Sequence, residues 1–171
     1  MKYGWAVLLL LVGVIAPGAA HAQASVYGEF SASELKNLTS TTILYGATTG
    51  ILYDGVKIHD RIIVAADIQG RFLHKSGENL NGVTIGPRFE VPIAHGFAPY
   101  GEFLVGFARY NDPNNTASTD ATMQLNAGLA KQMSPHIDLV GDYSYAQYYG
   151  LGGAYNPKTF SVGIIYHLVK R

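Results

Sequence analysis

From residue 23 onward, apolar and polar side chains alternate with a period of two, run after run, with turn-forming residues between the runs. The last run is the cleanest. Phe160, Val162, Ile164, Tyr166 and Leu168 fall on one face and Ser161, Gly163, Ile165 and His167 on the other. Before it, Ile137, Leu139, Tyr143 and Tyr145 oppose Asp138, Asp142, Ser144 and Ala146, and Met123, Leu125, Ala127 and Leu129 oppose Thr122, Gln124, Asn126, Gly128 and Gln132. Phe103, Val105 and Phe107 oppose Glu102, Gly106 and Ala108, while Val83, Ile85, Phe89 and Val91 oppose Thr84, Gly86, Arg88 and Glu90. Val64, Ile68 and Phe72 oppose Asp67, Gln69 and Arg71, a less regular run covers about 42–53, and the first, at about 25–35, sets Val26, Phe30 and Ala32 against Glu29, Ser31 and Ser33. No stretch past the first residues carries apolar positions at helical spacing. The pattern therefore predicts eight antiparallel strands and an all-β chain.

The segments between the runs add an asymmetry. Those after odd-numbered strands, at 36–41, 73–81, 111–120 and 149–157, are long and polar, and those after even-numbered strands, at 54–60, 93–97 and 133–136, are short. Long loops on one rim and short turns on the other predict an up-and-down barrel that crosses a membrane. Pro87 removes a ladder donor in mid-strand, which predicts a local bulge there.

Alternation alone fits a soluble barrel with an apolar centre equally well, including a soluble periplasmic ligand-binding barrel. Two features favour the inverted arrangement, with hydrocarbon facing lipid. The polar face is rich in Gly, Ala and Ser, as a narrow interior requires. Aromatic residues crowd the strand ends, as with Tyr53, Phe97, Tyr100, Tyr110, Tyr148, Tyr149 and Tyr166, where interfacial girdles sit.

The first residues supply a third. Lys2, an apolar run over 5–15, the break at Pro17-Gly18 and two small-residue cleavage motifs, Ala20-His21-Ala22 and Ala22-Gln23-Ala24, read as a cleavable signal peptide over 1–22 ahead of a barrel domain over 23–171. The apolar run is shorter than the roughly 20 residues of a bilayer helix. With Lys2 removed, the 12 basic and 12 acidic residues leave the mature chain one acid in excess. Such neutrality creates no field for nucleic acid. The absence of cysteine excludes disulfides, thiolate metal sites, lipoprotein acylation and a cysteine nucleophile.

If the polar face points inward, its charges need partners. Arg71 and Arg88 are expected to pair with Glu29, Asp67, Glu90 and Glu102 in an ion-pair network that fills the lumen with side chains in place of an open channel.

In its run count, alternation and final strand the chain resembles the eight-stranded outer-membrane barrels typified by the transmembrane domain of outer membrane protein A and by outer membrane protein X. Ser161, Gly163, Tyr166 and Leu168 look like the last-strand insertion signal that the barrel assembly machinery reads, although Val169, Lys170 and Arg171 follow where the family stops at an aromatic residue. The resemblance implies a bacterial outer-membrane location. Outer-membrane lipid and lipopolysaccharide would surround the wall, the assembly machinery would act during insertion, and an unidentified extracellular partner would meet the loops.

Catalytic and metal chemistry have less support, so the expectation is a non-enzymatic structural or surface-interaction protein without cofactor or metal. The alternative of the same shape is a lipid A-modifying enzyme, which would need Ser, His and an acid within reach. Ser161 and His167 lie roughly 20 Å apart along one strand and cannot form a dyad. Ser144 and His167 could meet only in a particular register. The six histidines show no ligand spacing. Asp112, Asn114, Asn115, Thr116 and Asp120 lack the pattern and glycine of a calcium loop.

Overall fold

Strict alternation over more than ten residues has one backbone solution, the extended strand, and neighbouring strands whose apolar faces agree pair edge to edge until no edge is left. The computed structural model describes residues 23–36, 41–58, 61–111, 118–149 and 156–169. The strands are β1 (Gln23–Lys36), β2 (Thr41–Ile58), β3 (Ile62–Lys75), β4 (Glu78–Glu90), β5 (Phe97–Asn111), β6 (Ser118–Ser134), β7 (Ile137–Tyr149) and β8 (Lys158–His167). They form a closed antiparallel barrel in sequence order. The seam joins first to last, with Ser25 opposite His167 and Glu34 opposite Lys158.

The barrel is turned inside out relative to a soluble one. Phe30, Phe72, Val83, Phe107, Leu125 and Phe160 stand outward, each more than half exposed, while Asp67, Arg71, Arg88 and Glu102 are buried inside. Hydrocarbon facing outward all around a closed wall is stable only against lipid.

Several expectations are corrected. Pro87 causes no bulge. It sits opposite Ala66, and the register is the same on both sides of it, from Ile85 opposite Val105 to Arg88 opposite Glu102. The ladder to β5 skips Gly86 and Pro87 without shifting, so the missing donor is absorbed by an interruption. The register shifts lie elsewhere, between Asp54 and Val56 and between Gln132 and Ser134; Gln132 precedes the second shift, stays opposite the inward Asp138 and is exposed near the end of β6. The segment 73–81 is no long loop. Its polar residues continue β3 and β4 in ladder register, with Leu73 opposite Leu80, to a tight turn at Ser76-Gly77 where both residues have positive φ. The contrast between long and short rims is correspondingly weaker than the polar composition suggested. The segment 1–22 and most of the other three expected loops lie outside the described residues.

Two inward tyrosines explain two inward glycines. Tyr27 lies opposite Gly50 and Tyr100 opposite Gly128 in the ladders, and a Cβ at either glycine would fall about 2.5 Å or less from the tyrosine side chain. Each ring lies flat across its neighbour's backbone, which fills a narrow interior without widening it.

Candidate functional site

The interior is built in tiers. Nearest the chain ends Ser25, Asp138 and His167 are buried together. Above them an apolar tier contains Tyr27, Leu52, Ala98, Tyr100, Ala130, Val140 and Ile165. A second apolar tier near the opposite rim gathers Leu35, Leu44, Leu73, Leu80, Ala108, Ala146 and Tyr148, with Tyr110 packed against it. Between and beside the two lie buried polar groups, among them all six charged residues expected in the lumen.

Arg88 is their strongest node. The guanidinium donates to Glu102 Oε1 at 3.1 Å and to Glu90 Oε2 at 3.3 Å, and it stands 3.5 Å from the centroid of the Tyr100 ring. Register explains the first pair, because Arg88 and Glu102 are directly opposite across β4 and β5. Glu90 is two residues along on the same face, within reach of the same planar group.

Arg71 departs from expectation. Among the described residues it pairs with no carboxylate, and it donates to Thr48, Thr159, Gln69 and Ser144 at 3.1–3.4 Å. It sits higher in the barrel than the acids, among hydroxyls from β2, β7 and β8. Three amides, Gln69, Gln124 and Asn126, link the arginines. Gln124 donates to Gln69 and to Asn126 at 2.8 Å, and Asn126 donates to the second oxygen of Glu102. Asp67 is satisfied by the Tyr27 hydroxyl at 3.0–3.1 Å, and Tyr27 in turn accepts from Gln69. One connected network thus joins Asp67, Arg71, Arg88, Glu90 and Glu102. Glu29 is buried with them, yet its Oε2 has no hydrogen-bond partner.

Three of the tyrosines read as girdle residues belong inside. Tyr100 and Tyr148 are buried, and Tyr110 packs on the upper apolar tier. Tyr100 donates to Asp142 at 3.1 Å. The signal was available in the sequence, since Tyr100 shares the parity of Glu102 and Tyr27 that of Glu29. Among the outward aromatics, Tyr166 stacks on His136 with ring centroids 5.9 Å apart.

The four residues of the expected insertion signal divide between the faces. Ser161 is buried and accepts from Ser31 at 3.0 Å, Gly163 faces inward, and Tyr166 and Leu168 project outward.

Ser144 and His167 do not meet, since Ser144 is held by Arg71. Sequence reading missed the actual partner. Ser25 Oγ lies 2.7 Å from His167 Nδ1, and His167 Nε2 lies 2.9 Å from Asp138 Oδ2. These groups come from β1, β8 and β7 and tie the closing seam together. The ring is inverted relative to a hydrolase triad, in which Nε2 faces the serine. All three side chains are buried in the lumen, which gives an acyl chain no approach. A clasp fits this geometry better than a nucleophile. Replacing His167 by alanine removes both contacts and leaves Asp138 without this donor. Stability is expected to fall by about 1.5–3 kcal/mol, the scale of a hydrogen bond to a charged group. Reversible urea unfolding in lipid vesicles checks this, and an unchanged midpoint would show that the clasp contributes nothing.

Among the described residues no cluster of three or more histidines and acids is placed to hold a metal ion. Of the loop oxygens at 112–120 only Asp120 belongs to the described residues.

No protein-family model and no curated protein matches the sequence. Solved structures do match the fold. The crystal structure of Neisserial surface protein A aligns with a TM-score of 0.68 at 15% identity, over 85% of this chain and 98% of that one. Ail, the attachment invasion locus protein of Yersinia pestis, aligns with a TM-score of 0.56 at 16% identity over 86% and 99% of the two chains. The outer membrane enzyme PagL aligns with a TM-score of 0.52 at 15% identity over 81% and 98%. The chain therefore has the fold of the eight-stranded outer-membrane β-barrels, and its outward hydrocarbon face makes it a transmembrane barrel of that type.

Proposed function

We propose that the protein is a non-enzymatic integral protein of the bacterial outer membrane, a rigid wall that presents surface loops to the exterior. The observation that carries this reading is the filled lumen. Two apolar tiers stand with a hydrogen-bonded polar tier, and the cavities beside Tyr148 have volumes of about 10 Å³ each, room for about one water molecule. Among the described residues, an interior packed in this way leaves no open path along the barrel axis and no space for a substrate at these cavities. What remains for function is the wall and whatever it displays. Ail, by its name an attachment and invasion protein, has the same architecture. The surrounding partners on this reading are outer-membrane lipid and lipopolysaccharide, with the barrel assembly machinery reading Ser161, Gly163, Tyr166 and Leu168 during insertion. The loops meet an extracellular partner.

Planar-bilayer recording tests the filled lumen. The expected record is flat, without stable conductance steps, and large steady steps would refute the reading.

A second reading, a lipid A-modifying enzyme of the same shape, draws on PagL and on the Ser25, His167 and Asp138 contacts. Overexpression is expected to leave the acyl pattern of lipid A unchanged by mass spectrometry. A shifted pattern that disappears in Ser25→Ala would favour the enzyme.

A further inference from the structure

The polar tier does not balance its charge. Glu29, Asp67, Glu90, Glu102 and Asp142 are buried there, and among the described residues the buried arginines beside them are Arg71 and Arg88. Most of these acids have donors. Arg88 serves Glu90 and Glu102, Tyr27 serves Asp67, and Tyr100 serves one oxygen of Asp142. Glu29 stands apart, because the residue is only 7% exposed and its Oε2 meets no donor. The second oxygen of Asp142, Oδ1, is likewise buried without a partner.

These two acids face the same space. Glu29 lies opposite Gly163 across the seam, and a Cβ on Gly163 would stand 2.7 Å from Glu29 Cγ, so the glutamate is laid across β8 over the glycine. On the far side of β8, Asp142 lies opposite Ser161, one inward position from Gly163. Glu102 on β5, Arg88 on β4 and Arg71 on β3 also act on Glu29 from the facing strands. Two carboxylates, each with an oxygen that lacks a donor, repel each other in a sealed tier and have lost their water. Such a pair persists only with a positive charge between them.

We propose that Glu29 and Asp142 together bind one small monovalent cation, either a proton or an alkali-metal ion, as a countercharge held inside the lumen. A proton would bridge Glu29 to Asp142 Oδ1 as an O–H donor and supply the hydrogen bond that both lack. An alkali ion would sit between the two carboxylates. The inference is independent of what the surface loops bind.

The experiment uses the barrel refolded in phosphatidylcholine vesicles at neutral pH, with Glu29→Gln as the main variant and Asp142→Asn as the second should the first fail to fold. Infrared spectra in heavy water separate the carboxylic acid band from the carboxylates. If the cation is a proton, the wild type has an acid band that either variant abolishes and Asp67→Asn leaves intact. If it is an alkali ion, the acid band is absent. Sodium or potassium chloride then raises the wild-type thermal midpoint above that in choline chloride, and the gain is lost in Glu29→Gln. Two results overturn the proposal: an acid band that survives both variants, or no band together with equal midpoints in all three salts.

Discussion

Replacing Arg88 by methionine is expected to destabilise the barrel by about 3–5 kcal/mol, because removing one partner strands the other charges in a medium that cannot solvate them. Glu90 and Glu102 both depend on this guanidinium, and both are buried beside it. The same physics predicts a rescue. With Glu90→Gln and Glu102→Gln added, the uncompensated charges vanish, and replacing a buried ion pair as a whole is often neutral. The triple variant is expected to regain most of the lost stability. Urea unfolding of the wild type, the single variant and the triple variant in lipid vesicles measures both steps. A single variant as stable as the wild type would mean that water reaches these groups, and the sealed polar tier would then be wrong.

The second large effect lies on the other side of the wall. Leu125, in the middle of β6, is 57% exposed on the outward face. Leu125→Arg would place a charge among acyl chains, which costs about 2–4 kcal/mol near the bilayer midplane. Leu125→Phe, an apolar swap on the same face, is expected to change little. Folding yields and unfolding midpoints in vesicles compare the two, and an arginine variant as stable as the phenylalanine variant would argue that this face does not meet lipid.

The two faces were legible in the sequence because a period of two is all that a barrel wall requires, and Phe103 against Glu102 or Ile164 against Gly163 needs no knowledge of neighbours. Height along the barrel axis was not legible. Whether Arg71 reaches an acid depends on the stagger of its strand against the others, and the structure lifts it among Thr48, Ser144 and Thr159. The position of Tyr100 near a strand end suggested a girdle, whereas its parity placed it inside, and parity decides. The polar residues at 74–79 looked like a loop. In fact His74 and Asn79 face each other across paired strands that run on beyond the outward apolar band, with 2.6 Å between side-chain atoms. The clasp at the seam was least accessible, since Ser25 and His167 are 142 residues apart and become neighbours only when the last strand closes on the first.

All of this rests on hydrocarbon pointing outward. Tryptophan fluorescence tests it directly, because Trp5 is the chain's one tryptophan and a Trp5→Phe background is free of the signal. One tryptophan is placed outward, as Phe103→Trp, and another inward, as Tyr100→Trp, in bilayers whose acyl chains carry bromine as a contact quencher. Strong quenching of the residue at 103 with little at 100 is the predicted result. Quenching at 100 with none at 103 would contradict the transmembrane barrel.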